Sequence, residues 1–555
     1  MEKKITVKKS LMNILDAKFE YFTKNSVFFL IIIGSLGAMV RLSYFPFGIP
    51  LTLDGLNYFS YAYEMSQTGY FPVVVYPNNF PNNGWPSFLS LVFSIFYSEN
   101  LLDYMVIQRS LTIAISVLTM IPVYLLCSRF FEKSYALIGA TLFVLDPRII
   151  LNSVSGISEP VFIILFTIAL FLFCSTNKKN IYTSFGIAAL FALVRFEGLL
   201  LIIPFSIIFF LRFKKERNVL FRYFLAVGIF ILVLFPMALI RIDTMGHDGL
   251  ISHLWGGFSF VSTHVIQNIP EDDDPPITDV PEQNTIIAFF WKGIFNLIKF
   301  GGWVSFPLFF LFLPIGFFMV LKNRNYKKIT IVLVTIFLLI PAFYGYGRNF
   351  QETRYLYVLI PILCILSLYS IKMIIDKFKN SNIILPSLVV VILLVSLVFL
   401  DYKRVDYELE LEEYEIAKYI VQNTKGIDSS SYLVGRFIHA AELIEKGSIV
   451  NSDISVEISK SSPLGFSSLE EFISASEKNG LTHLVLDGQQ QNQGFGTTGP
   501  YVAKSSTNYF LNDVFFNDKK YPYLIKEFDS SDHGYKYHVK IYRIDYKEFY
   551  ERVKL

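Results

Sequence analysis

Charge is what this sequence has least of. Of its 555 residues, 49 are Lys or Arg and 46 are Asp or Glu, 17% in all, against 53% hydrophobic residues and a mean hydropathy of +0.46. A soluble globular chain carries about a quarter charged residues and a little under half apolar ones, so most of this chain is not built for water. It reads as an integral membrane protein. Cysteine is nearly missing as well: Cys127, Cys174 and Cys364 lie in or beside apolar runs and none is in the polar C-terminal part. That leaves neither a disulfide scaffold nor a cysteine-based metal site. No Asn-x-Ser/Thr sequon occurs anywhere, which with the missing cysteine pairs fits a prokaryotic cell surface better than an endoplasmic reticulum lumen. Repeats, low-complexity tracts, a P-loop and a dinucleotide fingerprint are also absent. Disordered, collagenous and nucleic-acid-binding classes are excluded by the same composition.

The charge that is present is uneven. Residues 402–555 hold 18 Lys+Arg and 23 Asp+Glu, about 27% charged, while residues 1–401 are about 13% charged with a net charge of +8. The sequence therefore predicts a transmembrane part, 1–401, joined to a soluble domain, 402–555. Apolar runs near 26–45, 104–128, 135–151, 159–174, 219–240, 302–321, 329–346, 355–373 and 382–400 are spans. The first lacks a small-residue cleavage site, so it reads as a helix and not as a cleavable leader. The stretch 181–211 is interrupted by Arg195, Glu197 and Gly198 and flanked on both sides by Lys and Arg, which predicts two short helices turning at 195–197. With the N-terminus inside, every second loop is basic and the alternate ones are not; from Leu42 to Gln108 there is no Lys or Arg at all. The expectation is a polytopic α-helical membrane protein with about 11 transmembrane helices and a C-terminal extracytoplasmic soluble α/β domain.

Two outer loops are long, 46–103 and 242–301, and rich in aromatic residues. Long loops in compact domains are commonly functional. Their apolar stretches at 86–97 and 285–299 are too short to span and predict interfacial amphipathic helices. In the tail, 412–421 has helical periodicity, 431–435 and 481–486 read as buried strands, and 523–545 reads as a hairpin around Asp532-His533-Gly534.

Ionisable groups near membrane depth are costly and therefore informative. Asp54, Asp146, Arg148, Glu159, Arg195, Glu197, Arg348 and Arg354 all fall at the outer ends of the predicted helices. That one-sided placement suits a surface site fed from the lipid better than an ion path through the bilayer. Each has a plain structural use: Asp54 as a helix N-cap, Glu159 as a first-turn acid favoured by the helix dipole, Arg195 as the partner of Glu197 or Glu159, and Arg354 as an interfacial anchor. Together, acids able to take a proton and arginines able to hold a phosphate point to group transfer from a lipid phosphate.

At these residues the sequence resembles the GT-C polytopic glycosyltransferases, in the branch with protein O-mannosyltransferases and bacterial aminoarabinose transferases. The resemblance covers roughly residues 26–375 and rests on Asp54-Gly55-x-x-Tyr58-x-x-x-Ala62, Trp85-Pro86, Ser158-Glu159-Pro160, Leu193-x-Arg195-x-Glu197-Gly198 and Arg354-Tyr355-Leu356 leading to Pro361, in that order. It implies an inverting transfer of a sugar from a polyprenyl-phosphate donor to an extracytoplasmic acceptor. On that footing Asp54 is the catalytic base. Tyr58, Glu159, Arg195, Glu197, Arg348, Arg354 and Tyr355 bind substrate, with Glu159 positioning the acceptor or supporting a metal. No cofactor is required by the sequence and no metal site is assigned, although a divalent cation is compatible with the family. Asp54 is followed by Gly and not by a second acid, and the Trp-Trp-Asp signature of oligosaccharyltransferase catalytic subunits is absent. The resemblance therefore does not extend to en bloc transfer to asparagine. The acidic run Glu271-Asp272-Asp273-Asp274 reads as a solvated loop face. The alternatives are a transporter or flippase of a lipid-linked substrate, for which no internal repeat speaks, and a sensor or adhesin, which would leave so many spans without a purpose. The tail is expected either to cover the active-site loops or recruit the acceptor, or to serve stability and assembly.

Overall fold

A computed structural model describes residues 26–70, 83–262, 285–322, 325–377, 381–424, 426–429, 432–446, 457–458, 466–478, 480–487 and 509–552. The N-terminal lysines and the acidic run at 271–274 lie outside them. The chain forms two compact units. One comprises 1–45, 68–92 and 108–404; the other comprises 46–67, 93–107 and 405–555.

The first unit is helical. Six stretches among the described residues are long and apolar enough to cross a bilayer: Ser26–Ser43, Leu101–Cys127, Phe196–Phe213, Val219–Thr244, Tyr326–Gly347 and Thr353–Ile375. A seventh results if Lys133–Val144 and Pro147–Ser153, bent by 52°, count as one span. The bend has a local cause: Asp146 is extended and its carboxylate accepts the N–H groups of Arg148 and Ile149 at 3.0 and 3.1 Å, with Pro147 at the first helical position. Glu159–Phe173, Leu313–Lys322 and Pro386–Tyr402 are shorter apolar helices. The window at Val219–Thr244 is only 17% buried at a mean hydropathy of 2.6; an outward face that apolar is one that lipid covers.

The predicted span at 302–321 is two helices instead, Thr285–Ser305 and Leu313–Lys322. Pro307 disfavours helical backbone at Phe306 before it, so the first helix stops at Ser305. Thr285–Ser305 also absorbs the predicted 285–299 amphipathic helix. Its buried stripe follows a helical spacing: Phe289 and Gly293 meet Phe343, Asn296 donates to the Tyr346 carbonyl at 3.3 Å, and Phe300 packs on Tyr346.

In the second unit, the described strands form one sheet of order β2-β1-β3-β5-β4: β1 Gly426–Ser429, β2 Glu457–Ile458, β3 His483–Asp487, β4 Leu524–Asp529 and β5 Val539–Ile544. β1 pairs parallel with β2 and β3; β5 pairs antiparallel with β3 and β4. The predicted hairpin is β4–β5, turning through Ser530–His533 and Gly534 at φ +71°. Side chains alternate across the sheet. Val485, Val539 and Ile541 enter one core with Tyr414, Ile416 and Ile420 of the helix Tyr407–Asn423. Leu484, Leu486 and Tyr542 enter another with Phe472 and Phe549. The predicted helix at 412–421 and strand at 481–486 are present, but of 431–435, expected as a strand, the described residues 432–435 open the helix Tyr432–Lys446. Its apolar residues recur at Phe437, Ile438, Ala441 and Ile444, a helical spacing that a five-residue window is too short to reveal.

Candidate active site

The turn that breaks 181–211 is built by the residues that interrupt it. Helix Lys178–Val194 ends as Arg195 takes an extended conformation, φ −148° and ψ 128°, and a 3-10 helix, Phe196–Leu201, leads into Ile202–Phe213. The Gly198 N–H donates to the Arg195 carbonyl at 2.9 Å. A Cβ on Gly198 would lie 2.7 Å from the Ala192 backbone, which cannot move aside as a flexible side chain does. Gly198→Ala is accordingly expected to cost about 1–3 kcal/mol of stability through overpacking, read as an earlier unfolding midpoint in detergent; an unchanged midpoint would show that the turn opens freely. Gly84 abuts the same turn: its Cβ would meet the Leu193 carbonyl at 2.8 Å. The next residue, Trp85, is fully buried and stacks on Phe88.

Four charged side chains converge there. Arg195 donates from Nη2 and Nε to Glu197 Oε1 at 2.7 and 3.2 Å, and from Nη1 to Glu159 Oε1 at 3.0 Å. Arg354 Nη1 approaches the same Glu159 oxygen at 3.9 Å while its Nε donates to Glu352 Oε2 at 3.0 Å. Glu159 begins the helix Glu159–Phe173, where the exposed backbone N–H groups favour an anion. It is 4% exposed, and its other oxygen, Oε2, is buried with no hydrogen-bond partner. A buried carboxylate oxygen without a donor is expensive, so this oxygen is an open acceptor. The Arg195 guanidinium lies 5.4 Å from the Phe162 ring centroid. Tyr355 lies near enough to Arg195 and Glu197 to feel their charge and sets its ring edgewise to Tyr346, which donates to the Glu352 carbonyl at 2.9 Å.

Glu159, Arg195, Glu197 and Arg354, together with Tyr355, are therefore brought together, and the plain ion pairs expected for Arg195 are present. Arg348 caps the C-terminus of Tyr326–Gly347 with its guanidinium over the Tyr344 and Phe350 rings. Asp54 and Tyr58 belong to the other unit. Asp54 is exposed in the first turn of the helix Leu53–Thr68, and Tyr58 and Ala62 follow at one- and two-turn spacing, both buried. The residue before Asp54, Leu53, has φ +50°, an outlier for a bulky side chain. Asp146 is a helix cap, and Arg148 donates to the Trp303 carbonyl and lies over Phe399.

Two residues escaped sequence reasoning. Glu352, which tethers Arg354, was legible as an acid two residues away. Arg41 is fully buried inside the first apolar run, donating to Ser116, Ser153 and the carbonyls of Gly37 and Val144 at 2.8–3.2 Å. A lone arginine in an apolar run is itself a signal; neutral acceptors satisfy its donors here, which reads as structural. Among the described residues, no three His, Cys, Asp or Glu side chains are placed to hold a metal ion.

Among solved structures, the chain is similar to the oligosaccharyltransferase of Archaeoglobus fulgidus in complex with Zn and sulfate: TM-score 0.54, 13% identity, 83% of this chain and 68% of that one. The archaeal oligosaccharyltransferase AglB of the same organism, in complex with an inhibitory peptide and a dolichol-phosphate, gives TM-score 0.54 at 13% identity over 84% of this chain and 70% of that one. The chain shares the fold of these archaeal oligosaccharyltransferase structures. A looser likeness joins it to ArnT from Cupriavidus metallidurans bound to undecaprenyl phosphate, with TM-score 0.49, 10% identity, and 93% and 97% coverage. No protein-family model matches the sequence, and no curated protein does.

Proposed function

We propose that the chain is a membrane glycosyltransferase that moves a single sugar from a polyprenyl-phosphate donor to an extracytoplasmic acceptor, a protein, a lipid or a cell-surface glycan, with inversion. The observation that carries this reading is the paired-arginine cluster around Glu159, set in a GT-C fold. Asp54 takes the proton of the acceptor nucleophile. The nucleophile attacks the anomeric carbon, and the bond from that carbon to the phosphate oxygen breaks, the electron pair leaving with the polyprenyl phosphate. Arg195, Arg354 and Arg348 stabilise the charge that grows on that phosphate; Glu197 holds Arg195 in position. Glu159 offers its open oxygen to the acceptor, and Tyr58 and Tyr355 line the sugar. The dolichol-phosphate bound by the archaeal neighbour supports a lipid-phosphate donor. The alternation of basic and non-basic loops supports eleven crossings with the C-terminal domain outside the cytoplasm.

The test supplies the purified full chain in lipid nanodiscs with radiolabelled polyprenyl-phosphate hexoses and cell-envelope acceptors. The expected result is protein-dependent transfer of label with release of polyprenyl phosphate. Passage of intact donor between leaflets of a proteoliposome, with no cleavage of the glycosidic bond, would replace this reading by that of a flippase.

A further inference from the structure

The long outer segment after the first span does not fold by itself. Ile49, five residues before Asp54, is 5% exposed and sits in the same core as Tyr414, Ile416, Ile420, Phe437, Val485 and Ile541 of the C-terminal domain. Leu51 is 1% exposed and its N–H donates to Met105 Sδ at 3.3 Å. On the other side of Asp54, Phe59 packs on Phe93 at 5.7 Å and Tyr63 on Tyr104 at 5.3 Å, centroid to centroid. Asp54 is thus carried on a short length of chain fastened at both ends within one compact unit, the unit that contains the C-terminal sheet. Between the two fastenings lies Leu53 at φ +50°. A bulky residue keeps that backbone only where its surroundings over-determine it.

We propose that the C-terminal domain is the mount of the Asp54 segment, with Ile49 as the positioning residue that fixes where the carboxylate is held. The proposal rests on the reading of Asp54 as the base. Five residues reach at most about 3.3–3.6 Å each, so little slack separates Ile49 from Asp54. Withdrawing Ile49 from the domain core lets Leu53 relax to negative φ, and the carboxylate moves with it. The domain's role is then neither a lid nor an acceptor handle but the alignment of one catalytic group.

The test compares Ile49→Val, Ile49→Ala and Ile49→Asp in the full chain in nanodiscs. Misplacing a catalytic group by about 1 Å costs up to about a hundredfold, so kcat is expected to fall about ten- to a hundredfold in Ile49→Ala. Donor KM stays within about twofold, since donor binding is not what is lost, and Ile49→Val stays near wild type. Amide hydrogen exchange across 51–62 rises in Ile49→Ala and Ile49→Asp. In the Asp54→Asn background, Ile49→Ala lowers residual turnover no further, which a general loss of folded protein would do. Unchanged exchange at 51–62 in Ile49→Asp, or a raised donor KM at constant kcat, would overturn the mount. If Asp54→Asn keeps full turnover while exchange still rises, the base assignment fails and the mount stands.

Discussion

Asp54→Asn is expected to lower turnover by about 10² to 10⁴-fold, the usual contribution of a general base, while leaving the protein folded and able to bind donor. Two magnitudes separate the chemical effect from a structural one. The rate loss corresponds to about 3–5 kcal/mol of barrier at 1.36 kcal/mol per tenfold. The structural role of Asp54 is that of an exposed first-turn acid, worth about 0.3–1 kcal/mol to its helix. Asn keeps the size and a hydrogen-bonding oxygen but cannot take a proton. Thermal unfolding should hardly change and labelled-sugar transfer should nearly vanish; turnover equal to wild type would remove Asp54 from the mechanism.

Arg195→Ala should be the most damaging change in the membrane unit. The guanidinium holds two carboxylates at once, and their side chains are 5% and 9% exposed. Removing one partner of a buried ion pair costs about 3–5 kcal/mol because the charge left behind is desolvated and unpaired. This effect exceeds any single packing contact of the side chain, including its approach to Phe162, worth about 0.5–2 kcal/mol. The stability loss and the catalytic loss can be separated. Adding Glu159→Gln to Arg195→Ala removes one of the stranded charges and is expected to recover part of the unfolding midpoint without recovering transfer. Arg195→Lys supplies one point charge where the geometry uses a fork, so it should fall between wild type and Arg195→Ala. A double variant with both midpoint and turnover restored would make Arg195 a structural residue only.

Several features were legible because a local signal encodes them. Arg195, Glu197 and Gly198 interrupt an apolar run, and the chain does turn there, since a charged pair and a glycine cannot continue a lipid-facing helix. The β4–β5 hairpin follows from alternation on either side of Asp532-His533-Gly534. The helix Leu53–Thr68 was not expected within the 46–103 loop, although Tyr58 and Ala62 follow Asp54 at helical spacing. By contrast, β1 has the sequence Gly-Ile-Asp-Ser, with no apolar run to mark it; it is a strand because β2 and β3 supply its hydrogen bonds on both sides. The 431–435 stretch went the other way, because a short apolar run is compatible with either period until its continuation to Ile444 is considered. At 302–321, hydropathy counted apolar residues across the break between Ser305 and Leu313, where the helix ends just before Phe306-Pro307.

The sequence by itself determined that much of the chain is apolar helix and which residue types are available for chemistry, because burial is written into composition and period. Only the tertiary structure decided which of those residues meet. Arg195 reaches Glu159 across 36 positions and Arg354 approaches the same oxygen from a third helix, and Ile49 enters a core built more than 360 residues later. Such partners are fixed by the packing of whole elements against one another, a long-range outcome that no local pattern of polar and apolar residues records.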